Sequence, residues 1–221
     1  MIRIYPTKNG TGITIYGLSD DLKYLYDVVH YIATTLDESH ELLKGRQMLL
    51  MNFAYELRKA YQGQRLSKAF IQEFGEDITY CGFNIVWTDL FIFHNVLRQQ
   101  AGYLMTNKRM QSVLYSLEAG IEDAIHSYDS EFADELINYI GFYFSVTTKY
   151  CFLIYQALHI HFVLEPGGKK RFRKLPKLLA EHFSEFNEEH KSMLQKFECL
   201  AKEQGCEIMD LTYTEFPDIK W

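Results

Sequence analysis

The sequence predicts a mainly α domain: a bundle of about six helices with a small antiparallel β-element. Three observations carry this. Apolar residues recur at spacings of three and four over the long stretches of the chain. Strict apolar–polar alternation is confined mainly to short runs near the two ends. Glycine, proline, serine and asparagine punctuate these stretches without any linker long enough to divide the 221 residues, so residues 1–221 are expected to form one domain.

The β-element is expected first. Ile2, Arg3, Ile4 and Tyr5 alternate up to Pro6, Asn9-Gly10 supplies a turn, and residues 12–17 alternate again, which reads as a hairpin. The run 207–214 reads as a strand that joins this hairpin. Residues 78–87, rich in Ile, Tyr, Phe and Val, read as a further strand.

The helices follow in order. Ser19-Asp20-Asp21 offers a cap and two acids to the positive end of a helix dipole, ahead of Leu22, Leu25, Val29, Ile32 and Leu36. A second helix runs from about Glu41 to Tyr61, with Gly63 placed to end it. Thr88-Asp89 opens a third. A fourth spans about 107–126. A fifth is expected to run unbroken from Asp129-Ser130 to Phe162, where Pro166-Gly167-Gly168 stops it. The last is expected from about Pro176 to Gln204, ended by Gly205.

Composition excludes several classes. Aromatics make up 15% and apolar residues 48%, against the profile of a disordered chain. The net charge of -6 is unlike a protein that wraps nucleic acid with its whole surface. Cys81, Cys151, Cys199 and Cys206 show no C-x-x-C spacing and are expected as free thiols of a reducing cytoplasm. The first residues lack an apolar leader. The stretch 136–164 is interrupted by Lys149 and diluted by Gln156, His159 and His161, so a core helix is expected rather than a membrane span.

Four segments together resemble a known family. They are Thr11-Gly-Ile-Thr-Ile-Tyr-Gly17, Asp21-Leu-Lys-Tyr-Leu-Tyr-Asp27, the run from Ala54 to Gly63, and Phe83-Asn-Ile-Val-Trp87. They resemble an uncharacterised bacterial family of about this length, over roughly the first hundred residues. The resemblance implies no activity and carries over no catalytic residue.

Signatures of chemistry are sparse. The chain has no G-x-S-x-G, no Walker-type loop, no G-x-G-x-x-G and no H-E-x-x-H. His159 and His161, two apart on a helix, point in different directions, so one is expected buried and the other exposed. His182, Glu185, Glu189 and His190 share one helix without a metal motif, and Asp218-Ile-Lys220 is too short a match to a nuclease core to carry weight. No catalytic residue, metal or cofactor is expected.

Two features stand out. Leu179, Phe183, Phe186, His190, Met193, Phe197 and Leu200 recur at alternating spacings of four and three, a heptad seam that is either internal or an interface between subunits. Lys169, Lys170, Arg171, Arg173, Lys174 and Lys177 concentrate six cations in nine residues, at a helix start that the dipole disfavours for cations. Such a run offers an anion site for phosphate, nucleic acid or an acidic protein face, with Phe172 placed to stack on a base. The expected function is a non-enzymatic interaction or adaptor protein of the cytoplasm, self-associating or joined to a protein partner, with no membrane role. The alternatives are a nucleic-acid- or nucleotide-responsive component of bacterial anti-phage defence or a toxin–antitoxin system, and an enzyme without a recognisable motif.

Overall fold

A computed structural model describes residues 2–70, 77–141 and 144–221. Strands β1 (Arg3–Pro6) and β2 (Gly12–Gly17) lead into helices α1 (Ser19–Thr34) and α2 (Glu41–Tyr61). Strands β3 (Leu66–Phe70) and β4 (Ile78–Val86) come next. Helices α3 (Trp87–Ala101), α4 (Lys108–Tyr128), α5 (Ala133–Ile137), α6 (Cys151–Leu164), α7 (Lys169–Phe172), α8 (Leu175–Phe183) and α9 (Glu188–Gln204) follow, and then a 3-10 turn at Ile208–Asp210. The fold is mainly α with one small antiparallel sheet.

The sheet has strand order β1-β2-β4-β3. Ile13 pairs with Ile85 and Ile15 with Phe83 across β2 and β4, so one face presents four apolar side chains, all buried. Strand β4 runs straight into α3, which is buried on almost every side from Trp87 to Leu97. A helix buried all round is normally apolar throughout, yet α3 carries Asp89, His94 and Asn95 into the interior. Each is answered. Asn95 donates to the carbonyls of Gly141 and Phe144, His94 lies 3.2 Å from Glu118, and Asp89 meets His159.

Local signals placed several elements well. Asn107 caps α4 by accepting from the Met110 amide, and Gly205 ends α9 in the left-handed conformation. The N-terminal hairpin forms, and residues 78–86 are a strand. Ser19 is the first residue inside α1, and its hydroxyl donates instead to the Tyr61 carbonyl at the end of α2.

Three expectations are corrected. The run 207–214 is no strand. Helix α4 packs against β1, and a side chain at Gly120 would collide with Ile4. The last ten residues instead form no helix or strand, and their end is held by Asn9 and Thr11 beside the β1–β2 turn. The sheet's fourth strand is β3, a run the alternation did not reveal because most of its side chains are exposed. The helix expected across 129–162 is two, α5 and α6, separated by a stretch whose residues 142–143 lie outside those described. The last helix is also two. Asn187 accepts from the Glu189 amide and starts α9 afresh after Ser184 turns the chain.

Helices α2 and α6 approach closely. A Cβ at Gly45 would fall 2.7 Å from the sulfur of Cys151. Burial pushes the Cys151 thiol up to about 12. Among the described residues, no helix is long and apolar enough to cross a membrane.

Candidate functional site

The six cations of the basic run divide into three groups. Arg173 forks onto Asp129, with Nε at 2.7 Å and Nη2 at 3.0 Å, and reaches Glu131 at 3.1 Å. Lys169 lies 3.4 Å from the same Asp129. That carboxylate is buried, and the Arg173 fork holds it below the usual carboxylate range against the opposing effect of burial. Lys174 pairs with Glu165 at 2.7 Å and Lys177 with Glu181 at 3.4 Å. Lys170 is exposed. Phe172 is fully buried, packed edge-on against Trp87 and Tyr128, so the expected base-stacking role is withdrawn.

Arg171 differs from the rest. It is 4% exposed, and among the described residues no carboxylate lies within ion-pair distance of it. Its Nη2 donates to the Asn9 carbonyl at 3.2 Å and to the Thr11 hydroxyl at 2.6 Å, and its Nη1 donates to the Glu165 carbonyl at 3.3 Å. Its guanidinium lies over the Phe162 ring. A guanidinium has five N–H groups. Three are taken here, and among the described residues Nε has no partner. Burial pulls Arg171 below the ordinary guanidinium value.

The turn that holds Arg171 is built from glycines. Gly168 has φ 104°, outside the comfortable range of other residues, and its amide donates to the Asn9 carbonyl at 2.8 Å. The N-terminal turn and the 166–168 corner are thereby joined across the chain. Between them lies a cavity of about 620 Å³, lined by Arg171, Lys8 and Lys220 together with Glu165, Asp218 and the apolar Leu164.

Pro217, Asp218 and Lys220 close that cavity from the chain's last residues. The segment 212–221 forms no helix or strand, and its last residues are shared between two cavities. Asp218 and Lys220 line the Arg171 cavity, while Ile219 and Trp221 line a second cavity of about 350 Å³. That second cavity also has Asn52, Glu56, Asn84, Asp89 and Tyr155 in its wall. Asp89 holds His159 Nδ1 at 2.8 and 3.0 Å from its two oxygens, and both residues are buried. Burial opposes the charged imidazolium, but the Asp89 charge and hydrogen bond outweigh it, so the His159 pKa is raised. Tyr155 hydrogen-bonds to Asp89 and Asn52, and burial pushes its phenol well above the ordinary tyrosine value.

A family model described as a domain of unknown function (DUF6904) matches residues 2–221. The chain belongs to that family. No curated protein and no solved structure matches it. The family match spans more than twice the stretch over which the sequence segments quoted above resemble an uncharacterised family.

The seam residues are distributed over two helices. Leu179 and Phe183 on α8 and His190 and Phe197 on α9 are buried, Met193 is half-buried, Leu200 is exposed, and Phe186 in the turn between the helices is 92% exposed. His190 finds its polar partner inside the fold, its Nδ1 lying 2.6 Å from the His182 carbonyl. His159 is buried and His161 exposed. Among the described residues, no three His, Cys, Asp or Glu side chains converge as metal ligands would.

Sequence reasoning singled out Arg171 only as one of six cations, and it read Asp89 only as a helix-start acid. The signal for Asp89 was weak but present: an acid between Trp87-Thr88 and Leu90-Phe91, in a helix apolar on every side, must bring a partner with it.

Proposed function

We propose that the chain is a binding protein for a small phosphate-bearing anion, held in the Arg171 cavity, which favours the nucleotide-responsive alternative over a polyanion wrapped along the basic run. The observation that carries this reading is a buried guanidinium that faces a roomy cavity without a carboxylate partner. Burying an unpaired charge costs several kcal/mol. Arginine's planar fork suits phosphate oxygens, and Lys8, Lys220 and Arg171 outnumber Glu165 and Asp218 in the cavity wall of a protein whose net charge is -6. Lys169, Arg173, Lys174 and Lys177 of the same run are engaged by acids, which argues against a long polyanion.

Thermal melts with inorganic phosphate, pyrophosphate and ADP test the reading. A ligand present at a hundred times its Kd raises stability by about 2.7 kcal/mol. Arg171→Gln is expected to weaken binding at least tenfold, about the worth of one charge-assisted hydrogen bond. Lys170→Ser should leave it unchanged. A flat melting temperature with all three anions would sink the proposal.

A second reading, self-association, is favoured by Phe186, Tyr103 and Met105, all at least 80% exposed. Phe186→Asp is expected to convert an oligomer to a folded monomer, because the ring is 92% exposed in the single chain and fills no part of its core. Light scattering that finds the unaltered protein monomeric at high concentration removes this reading.

A further inference from the structure

We propose that residues 212–221 are a displaceable lid over a second site, an acid–base centre formed by Asp89, His159 and Tyr155 that takes a small, neutral, hydroxyl- or amide-bearing ligand. This site is separate from the Arg171 cavity, and the proposal stands or falls without the anion reading.

The segment is fastened as a lid would be. Among the described residues it makes no backbone-to-backbone hydrogen bond. Two side-chain bonds hold its end: Asn9 Nδ2 donates to the Trp221 carbonyl at 2.7 Å, and the Thr11 hydroxyl donates to the Lys220 carbonyl at 2.5 Å. Arg171 sets both fasteners, since it donates to the Asn9 carbonyl and to the Thr11 hydroxyl. Segments with few buried contacts and no backbone ladder open at low free-energy cost.

Beneath the lid the groups are arranged for proton handling. The Asp89 carboxylate holds Nδ1, so proton exchange at this imidazole falls to Nε2, while Asp89 and Tyr155 themselves stand in the cavity wall. The Phe216 ring of the lid stands edge-to-face over that imidazole, with ring centres 5.8 Å apart. The adjoining cavity is charge-balanced. Asp89 is matched by His159, and Glu56 forks with Arg65 at 2.8 and 2.9 Å. A neutral ligand therefore suits it better than a charged one. The carboxamides of Asn52 and Asn84 both donate and accept, and the Trp221 side chain supplies an aromatic wall.

The lid is tested by diethyl pyrocarbonate labelling of the full-length chain, with each histidine followed by mass spectrometry. His126, exposed on α4, is the fast reference, and His94 and His182, buried elsewhere, are the slow ones. Asn9→Ala and Phe216→Ala are the variants, because both positions are at least partly exposed and neither fills the core. In each, His159 is expected to label at least tenfold faster relative to His126, with His94 and His182 unchanged. A His159 rate that stays fixed in both variants overturns the lid. So does a rate that rises together with those of His94 and His182, because it reports general loosening. In a second arm, Asp89→Asn in the Phe216→Ala background should lower the His159 pKa measured by NMR titration. An unchanged pKa overturns the acid–base centre even if the lid holds.

Discussion

Phe172→Ala is expected to destabilise the fold by about 3–5 kcal/mol, the usual cost of emptying a large aromatic site in a core. The ring is fully buried, with Trp87 at 5.2 Å, Tyr128 at 4.9 Å and Phe132 at 6.4 Å between ring centres. Those neighbours come from α3, α4 and the turn before α5, so the cavity left behind could not collapse from one side alone. Edge-to-face contacts add to the area term. Against a typical domain stability of about 5–15 kcal/mol, the loss is a large share of the total. Urea unfolding measures it as a lower midpoint at constant slope. A change under about 1 kcal/mol would show that the α7 corner is not part of the cooperative core, and the placement of Arg171 would lose its support.

Stability is expected to fall by about 3 kcal/mol between pH 6.5 and pH 4, with His182 as the main cause. Burial, opposed by the bond from Nδ1 to the Leu178 carbonyl, holds this imidazole down to about 4. The exposed His161, the buried His190 and Glu181 also act on it, the two histidines lowering its pKa and Glu181 raising it. A depressed folded pKa means that the unfolded chain binds the proton first. The stabilisation is therefore complete above about 6.5 and is lost as pH falls toward 4, at about 1.4 kcal/mol per unit. His159 runs the other way: its pKa is raised, so its contribution is complete below about 6.5 and is lost only as pH rises through the folded value. It is therefore constant over the acid window and leaves the slope to His182. The lowered carboxyls of Asp129, Glu165 and Glu118 add their losses near and below the ordinary carboxylate range. His182→Gln keeps a donor for the Leu178 carbonyl and removes the titration. Unfolding curves at pH 7, 5.5 and 4.5 should be much flatter across that range in the variant, and equal slopes in the two proteins would refute the assignment.

What could be read from the sequence was what neighbours along the chain decide. Asn107, Gly63 and Gly205 act within one turn, and the hairpin needs only residues 3–17. The breaks in the long helices were also local, and Asn187-Glu188-Glu189 is itself a helix-start pattern. The apolar spacing of 179–200 ran across it and masked it, since residues on two helices packed together can keep one rhythm. Strand β3 was hidden for another reason: β4 holds it by backbone pairing, which leaves almost no trace in exposed side chains.

The candidate sites were largely illegible because they join distant parts of the chain. Asp89 and His159 are 70 residues apart, and Arg171 reaches back 160 residues to Thr11. Composition located a basic run, but only packing shows that Arg171 turns inward while Arg173, two positions on, stays at the surface, paired with the buried Asp129 and the exposed Glu131. The run 207–214 alternates like a strand, yet it begins with a 3-10 turn and forms no strand. The place of the chain's last residues between two cavities depends on partners far away in the chain, Asn9 for Trp221 and Thr11 for Lys220.

The tight meeting of Gly45 with Cys151 sorts the thiols by reactivity. A sulfhydryl with a pKa near 12 holds almost no thiolate at neutral pH, and thiolate is the form that electrophiles capture. Cys199 is exposed on α9, and Cys81 and Cys206 are only partly covered. A maleimide dye added in limiting amount should therefore mark α9 first and leave the α2–α6 contact untouched. The molecule thus carries a natural attachment point on α9, where a fluorophore can follow association between copies without an engineered cysteine.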